Sequence, residues 1–231
     1  MGRIKQGLIL KRHRNYKKLW PLLVIALVVV VWGLYHAAKQ GNVLEYAKST
    51  KLTTGVEIIK GQGQIYYEFK GKRTFVTHDD KNHLSPNASG TYIVWLDETN
   101  GQYQVVLYDL KTKQQLPLSI LGNNTNASID HDRVAWENNT NNVASIYYFD
   151  GSRVRLISGT QAAIRPFVYG DQVLFAQQAS SRKGVWQTLL YDGITKQSKV
   201  VAEGSAAQAA WPRFEDGQIK TSIQNSAKYY Y

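Results

Sequence analysis

The hydrophobic pattern of this chain changes once, near residue 55. Before that point the dominant feature is an unbroken apolar run at residues 19–38, from Leu19 and Pro21 through Val28 to Trp32 and Ala38, without one charged side chain. Twenty residues of helix rise about 30 Å, the thickness of bilayer hydrocarbon. An amphipathic core helix would show a polar stripe, and this run shows none. Pro21 falls in the first turn, where its missing N–H costs little. Trp20, Trp32 and Tyr35 lie near the two ends, where amphipathic rings favour the headgroup region. The pattern predicts a single transmembrane helix. A buried helix of a soluble domain and a cleaved signal peptide are the competing readings. A signal peptide calls for a shorter run and a small-x-small exit, and His36 at the −3 position before Ala38 does not fit one.

Beyond residue 55 the pattern is one of short strands. Val, Ile, Tyr, Phe and Trp alternate with polar residues, punctuated by Gly, Asn and Asp, and helical periodicity is absent. The strands recur. Aligned on a proline or its replacement, Pro86, Ala127, Pro166 and Pro212 each precede by seven residues an aliphatic anchor, Ile93, Val134, Val173 and Ile219. These anchors are 41, 39 and 46 residues apart, and each is read as opening a strand after a turn. A second mark keeps step: Tyr108-Asp109, Phe149-Asp150 and Tyr191-Asp192 end strands at turns, with the Asp residues 41 and 42 apart. A shorter copy precedes them, with strands expected at 64–69 around Ile65 and at 73–77, and Lys70 lying 39 residues before Asp109.

A period near 40 with three or four strands per unit is the signature of propeller blades. One unit cannot bury both of its faces, so the anchors and Trp95, Trp136 and Phe175 are expected between blades. The predicted blade core is Ile65, Ile93, Trp95, Val134, Trp136, Val173, Phe175 and Ile219. The copy that starts at Pro86, with Gly90, Ile93-Val94-Trp95, Asp97, Tyr108-Asp109-Leu110 and Thr112, resembles a blade of TolB-like or WD-repeat-like propellers, and the copy with Gly170-Asp171, Val173 and Tyr191-Asp192 is similar. The resemblance spans roughly 56–223. It implies a non-catalytic module that binds protein, peptide or glycan, or one that precedes a peptidase domain.

The expected fold class is therefore all-β, a propeller of about four to five blades behind one N-terminal membrane helix. The expected organisation is a basic tail at 1–18, the membrane helix at 19–38, a connector at 39–54 and a propeller-like domain at 55–231. About four and a half repeats leave closure to be explained. One solution is that the segment 56–60 completes the final blade; otherwise an edge stays open to a partner or a second copy.

Charge sets the topology. Arg3, Lys5, Lys11, Arg12, Arg14, Lys17 and Lys18 precede the apolar run, and no acid occurs before Glu45. The positive-inside rule puts the tail in the cytoplasm, touching anionic lipid, and the rest outside the cell or in the periplasm. The formal net charge of +11 is mostly this tail: outside it, 21 Lys and Arg face 17 Asp and Glu. Interspersed signs give no nucleic-acid groove. With no cysteine there is no disulfide, thiolate site or thiol nucleophile.

Chemical motifs are sparse, and none implies a cofactor. Gly61-Gln62-Gly63 reads as a hairpin turn. His78, Asp79, Asp80 and His83 are weak metal candidates within a polar loop between the first two blades, and Asp130-His131-Asp132 is a weaker one. Asp97 and Glu98 are paired acids without a second partner of the kind glycoside hydrolysis needs. Asn87, Asn123, Asn126 and Asn138 head Asn-x-Ser/Thr sequons in what read as solvated polar loops. The leading expectation is a membrane-anchored binding or scaffolding module whose partners are the bilayer and a protein, peptide or envelope glycan. A surface hydrolase with acids or a metal at the channel mouth is one alternative. A subunit of an envelope complex, its propeller finished by a partner, is another.

Overall fold

The computed structural model describes residues 52–119, 121–140, 142–205, 212–215 and 218–221. The apolar run with Leu19, Pro21, Val28, Trp32 and Ala38 lies outside these, as do the tail residues Arg3, Lys5, Lys11, Arg12, Arg14, Lys17 and Lys18 and the connector as far as residue 51. Among the described residues no helix is long and apolar enough to cross a membrane.

The described residues form antiparallel meanders. The first sheet has three strands in the order β1 (Thr53–Ile59), β2 (Gln62–Phe69), β3 (Lys72–Phe75). The second has four, β4 (His83–Ser89), β5 (Tyr92–Thr99), β6 (Gln102–Asp109) and β7 (Gln114–Pro117). The third repeats it with β8 (Asn123–Asp130), β9 (Arg133–Thr140), β10 (Val143–Phe149) and β11 (Val154–Leu156). The fourth is β12 (Ala163–Tyr169), β13 (Gln172–Gln178), β14 (Trp186–Asp192) and β15 (Gln197–Gly204). A last pair follows, β16 (Arg213–Glu215) and β17 (Gln218–Lys220).

Turn chemistry makes these hairpins local. Lys60-Gly61, Lys70-Gly71 and Asn100-Gly101 are two-residue loops with positive φ at both positions, the type I′ geometry whose twist matches the strands it joins. This hairpin decides the fate of the segment 56–60. It pairs with β2 inside the first sheet, from Thr53↔Glu68 to Ile59↔Gln62, rather than completing the last blade. A two-residue loop closes with far less entropy than a contact spanning the whole domain. Gly63, read from sequence as part of the turn, is in β2, and a Cβ there would lie 2.6 Å from the His83 carbonyl.

The strand opening each four-stranded sheet begins earlier than the sequence suggested. Residues 86–90 were expected to hold a turn, yet β4 runs to Ser89 and only Gly90-Thr91 turns. Each of these strands carries a register shift at the same place: between Leu84 and Asn87, Thr125 and Ser128, and Ile164 and Phe167. Ser85, Asn126 and Arg165 take positive φ there, followed by Pro86, Ala127 and Pro166. The aligned prolines thus mark a repeated β-bulge, where a missing N–H costs no ladder bond.

Three apolar layers join the sheets. Ile65, Ile93, Trp95, Val106 and Leu110 lie between the first and second. Val94, Leu96, Val105, Leu107, Val134 and Trp136 lie between the second and third. Ala135, Ile146, Tyr148, Val173, Phe175 and Tyr191 lie between the third and fourth. A strand such as β5 is buried on both faces, which is why it reads Ile93-Val94-Trp95-Leu96 without alternation. Ile65, Ile93, Trp95, Val134, Trp136, Val173 and Phe175 are all buried, while Ile219 is half-buried in β17. The opening strands adjoin one another in series, β4 to β8 to β12 to β16, and β1 also touches β4. The fourth strands β7, β11 and β15 pack chiefly on their own sheets. This is the radial stacking of a propeller.

Candidate functional site

In an up-and-down meander the connections sort to two ends. The linkers between sheets and the hairpins joining second to third strands share one end. The hairpins joining first to second strands and the turns joining third to fourth share the other. The turns before the anchor strands and the Asp-bearing turns therefore occupy the same end.

At that turn end the aspartates are structural. Asp109 Oδ1 accepts the Lys111 N–H at 2.7 Å, Asp150 Oδ1 accepts those of Ser152 and Arg153, and Asp192 Oδ1 accepts those of Ile194 and Thr195. These contacts hold Asp192 below the usual carboxylate range. Burial works against ionisation of Asp150, yet the same kind of turn, with Arg155 beside it, holds it far below that range. Asp130 ties three sheets together. It accepts the Ser89 hydroxyl at 3.1 Å and the Gly170 N–H at 2.7 Å, and its own neighbour His131 lies 2.7 Å away. Arg133 Nε donates to Asp171 Oδ1 at 2.9 Å and its Nη1 pairs with Asp132. Below them the Tyr148 hydroxyl is buried without a partner, and burial pushes its pKa up to about 12.

At the linker end each connection is stitched by repeat-equivalent groups. Thr77, Ser119 and Ser158 hydroxyls accept the N–H groups of Ile65, Val105 and Ile146 at 2.8, 2.8 and 3.0 Å. The residue two after each core aromatic is polar, namely Asp97, Asn138 and Gln177, and each engages the linker or the start of the first strand. Asp97 Oδ1 lies 2.5 Å from His83 Nδ1, Asn138 donates to Asn124 Oδ1 at 2.8 Å, and Gln177 accepts the Gly159 N–H at 2.7 Å.

Of the four weak metal candidates, the structure brings Asp79 and His83 together and leaves His78 and Asp80 on the surface. The His83 ring is almost fully buried, with Nε2 2.8 Å from Asp79 and Nδ1 on Asp97. Burial pulls the imidazole's pKa down, but the hydrogen bonds and charges of Asp97 and Asp79 outweigh it and hold the pKa above its ordinary value. Burial opposes ionisation of Asp79, but the Lys81 N–H and His83 hold its carboxyl below the usual range. Both ring nitrogens are thus engaged by carboxylates. Among the described residues no group of three or more His, Asp or Glu side chains is arranged to hold a metal ion. Asp97 also accepts the Trp95 indole N–H at 2.5 Å, and Glu98 accepts from Asn82, so the paired acids fasten the linker.

Sequence reasoning missed Asp97 as the partner of His83. The available signal was the repeat itself, since His83 and Asp97 stand 41 residues before Asn124 and Asn138, the equivalent hydrogen-bonded pair. The Asn-rich segments are also strands rather than loops: Asn123 and Asn126 lie in β8 and Asn138 in β9. Asn138 is buried, which removes it as a glycan acceptor, whereas Asn87, Asn123 and Asn126 are exposed.

The linker end also exposes apolar side chains, absent from the sequence expectations. Ile58 (67% exposed) and Ile59 come from the first sheet, Leu121 (73%) from the linker to the third, and Val143 from the third sheet's hairpin.

No protein family model and no curated protein matches the chain. Solved structures do. TolB from Acinetobacter baumannii aligns with a TM-score of 0.50 at 15% identity, covering 72% of this chain and 44% of that one. A putative TolB from Agrobacterium tumefaciens aligns at 0.47 and 14%, covering 67% and 62%. The β-propeller domain of the Trilobed protease from Pyrococcus furiosus aligns at 0.49 and 15%, covering 65% and 50%. At such identity the likeness to the first is one of fold alone, and it supports a β-propeller architecture for the described residues. The chain spans less than two thirds of the length of each of these structures.

Proposed function

We propose that this chain is a membrane-anchored binding module that presents its propeller outside the cytoplasm and engages a protein, peptide or envelope glycan at the linker end. The observation that carries the reading is the set of exposed apolar residues there, Ile58 and Ile59 of the first sheet, Leu121 of the linker to the third and Val143 of the third. Large apolar side chains left in water at one end of a domain are the material of an interaction surface. The ionisable groups of the same end, Asp79, His83, Asp97 and Glu98, are engaged in fastening linkers, which supports binding rather than acid–base chemistry. The apolar run at 19–38 and the basic tail support the anchor and its orientation.

Photo-crosslinking in intact cells tests this. A crosslinking residue at position 121 or 143 is expected to capture a discrete envelope component, and one at position 194, exposed at the opposite end, is expected to capture none. Protease added outside the cells is expected to digest the portion from residue 52 onward. Equal labelling from both ends, or protection of that portion, overturns the reading.

A further inference from the structure

Among the described residues, the first sheet has no counterpart of the strand that opens each four-stranded sheet. Two equivalences align it with strands two to four of a blade. The Lys60-Gly61 hairpin matches Asn100-Gly101, and Thr77 clamps β2 as Ser119 and Ser158 clamp β6 and β10. On this alignment β1 corresponds to β5, and the place beside it that β4 fills in the second sheet has no strand among the described residues. That place continues the row of adjoining strands β4, β8, β12 and β16, and β1 already touches β4.

The edge is equipped for pairing. Ile59 and Gln62 close the two-residue hairpin, so their N–H and C=O groups face each other, and those of alternate residues Thr54, Val56 and Ile58 face away from β2. Glu98, the counterpart of Ile58, uses the same outward N–H to bond the Asn82 carbonyl at 2.9 Å. β1 carries neither lysine nor proline, the usual guards of an edge strand, and Ile58 is largely exposed on it.

The chain itself supplies the template for an occupant. At this place the other sheets hold Leu84-Ser85-Pro86-Asn87-Ala88, Thr125-Asn126-Ala127-Ser128-Ile129 and Ile164-Arg165-Pro166-Phe167-Val168. Ala88, Ile129 and Val168 pack into the layer shared with the preceding sheet. We infer that this edge of β1, unpaired among the described residues, docks an extended segment of a partner protein with the pattern aliphatic-x-Pro-x-aliphatic of the second and fourth sheets, added antiparallel as a fourth strand. This rests on the binding-module reading and names its partner class.

The test uses the full-length chain and two fluorescein-labelled peptides, copies of residues 82–89 and 162–169, followed by fluorescence anisotropy. Saturable binding of at least one is expected. Methylating the alternate backbone nitrogens that face β1 is expected to weaken it at least about tenfold, the loss of one or two ladder hydrogen bonds. Ile58→Pro is expected to do the same while the far-UV circular dichroism stays that of the parent. No binding of either peptide, or equal binding of methylated or scrambled peptide, overturns the proposal. So does a crosslink from Thr54→Cys to a segment of the same chain, or dimerisation through β1 in place of peptide binding. Crosslinking from positions 121 and 143 reads the parent proposal separately, so capture there without peptide binding sinks only this inference.

Discussion

His83 sits with both ring nitrogens on carboxylates while almost no part of its ring meets solvent. A raised folded-state pKa means that the cluster's contribution to stability is complete below the imidazole's ordinary pKa of 6.5 and is lost as pH rises through the folded value. Asp79, with its lowered pKa, contributes above its ordinary 3.8 and loses that contribution as pH falls below it. This cluster is therefore expected to stabilise the domain most between those two values. Thermal melts of the parent should shift downward from pH 6 to pH 9, and His83→Gln should remove that slope. Tyr148 makes the opposite case. Its hydroxyl is buried and unpartnered, so Tyr148→Phe removes a desolvated polar group at no cost in shape. Urea denaturation should show a gain of up to about 1 kcal/mol.

At the scale of the strand and its linker, the recurring device is one hydroxyl that satisfies one buried N–H. Ser158→Ala leaves the Ile146 N–H without its 3.0 Å acceptor and is expected to cost about 1–3 kcal/mol in urea denaturation. Thr77→Val keeps the shape of the side chain, removes the acceptor for Ile65, and should cost a similar amount. The second and third strands were legible in the sequence because they bury aliphatic and aromatic residues at a fixed interval, as Ile93-Val94-Trp95 of β5 and Val105-Val106-Leu107 of β6 do. The opening strands were not. β8 reads Asn-Asn-Thr-Asn-Ala-Ser-Ile-Asp, with no apolar alternation, because a bulge interrupts its period and hydrogen bonds from Asn124 and Asn138 replace part of its packing. The His83 site was half legible for a related reason. Its residue types pointed to a polar centre, but the partner Asp97 is brought in by β5, through a pairing of His83 with Asp97 that only sheet register reveals.

Across the whole domain, stability depends on contacts between successive sheets, since each meander buries its faces only against its neighbours. Three apolar layers supply most of that coupling, and Asp130 adds a polar one at the turn end by reaching Ser89 of the second sheet and Gly170 of the fourth from its own place in the third. Burial raises the cost of its charge, but the Gly170 N–H, His131 and Ser89 hold its pKa below the ordinary 3.8. Its contribution is therefore present above that value and is lost as pH falls through the lower folded pKa. Asp130→Ala leaves the Gly170 N–H unpaired and is expected to cost about 1–3 kcal/mol at neutral pH and progressively less in acid. The apolar layers remain, so the sheets should stay folded individually while their coupling weakens. Hydrogen exchange should then show protection falling first at the ends of β4 and β12 that adjoin Asp130, with β6 and β10 retaining theirs. A uniform loss across all strands would mean that the sheets unfold as one unit and that this carboxylate is not a separable tie.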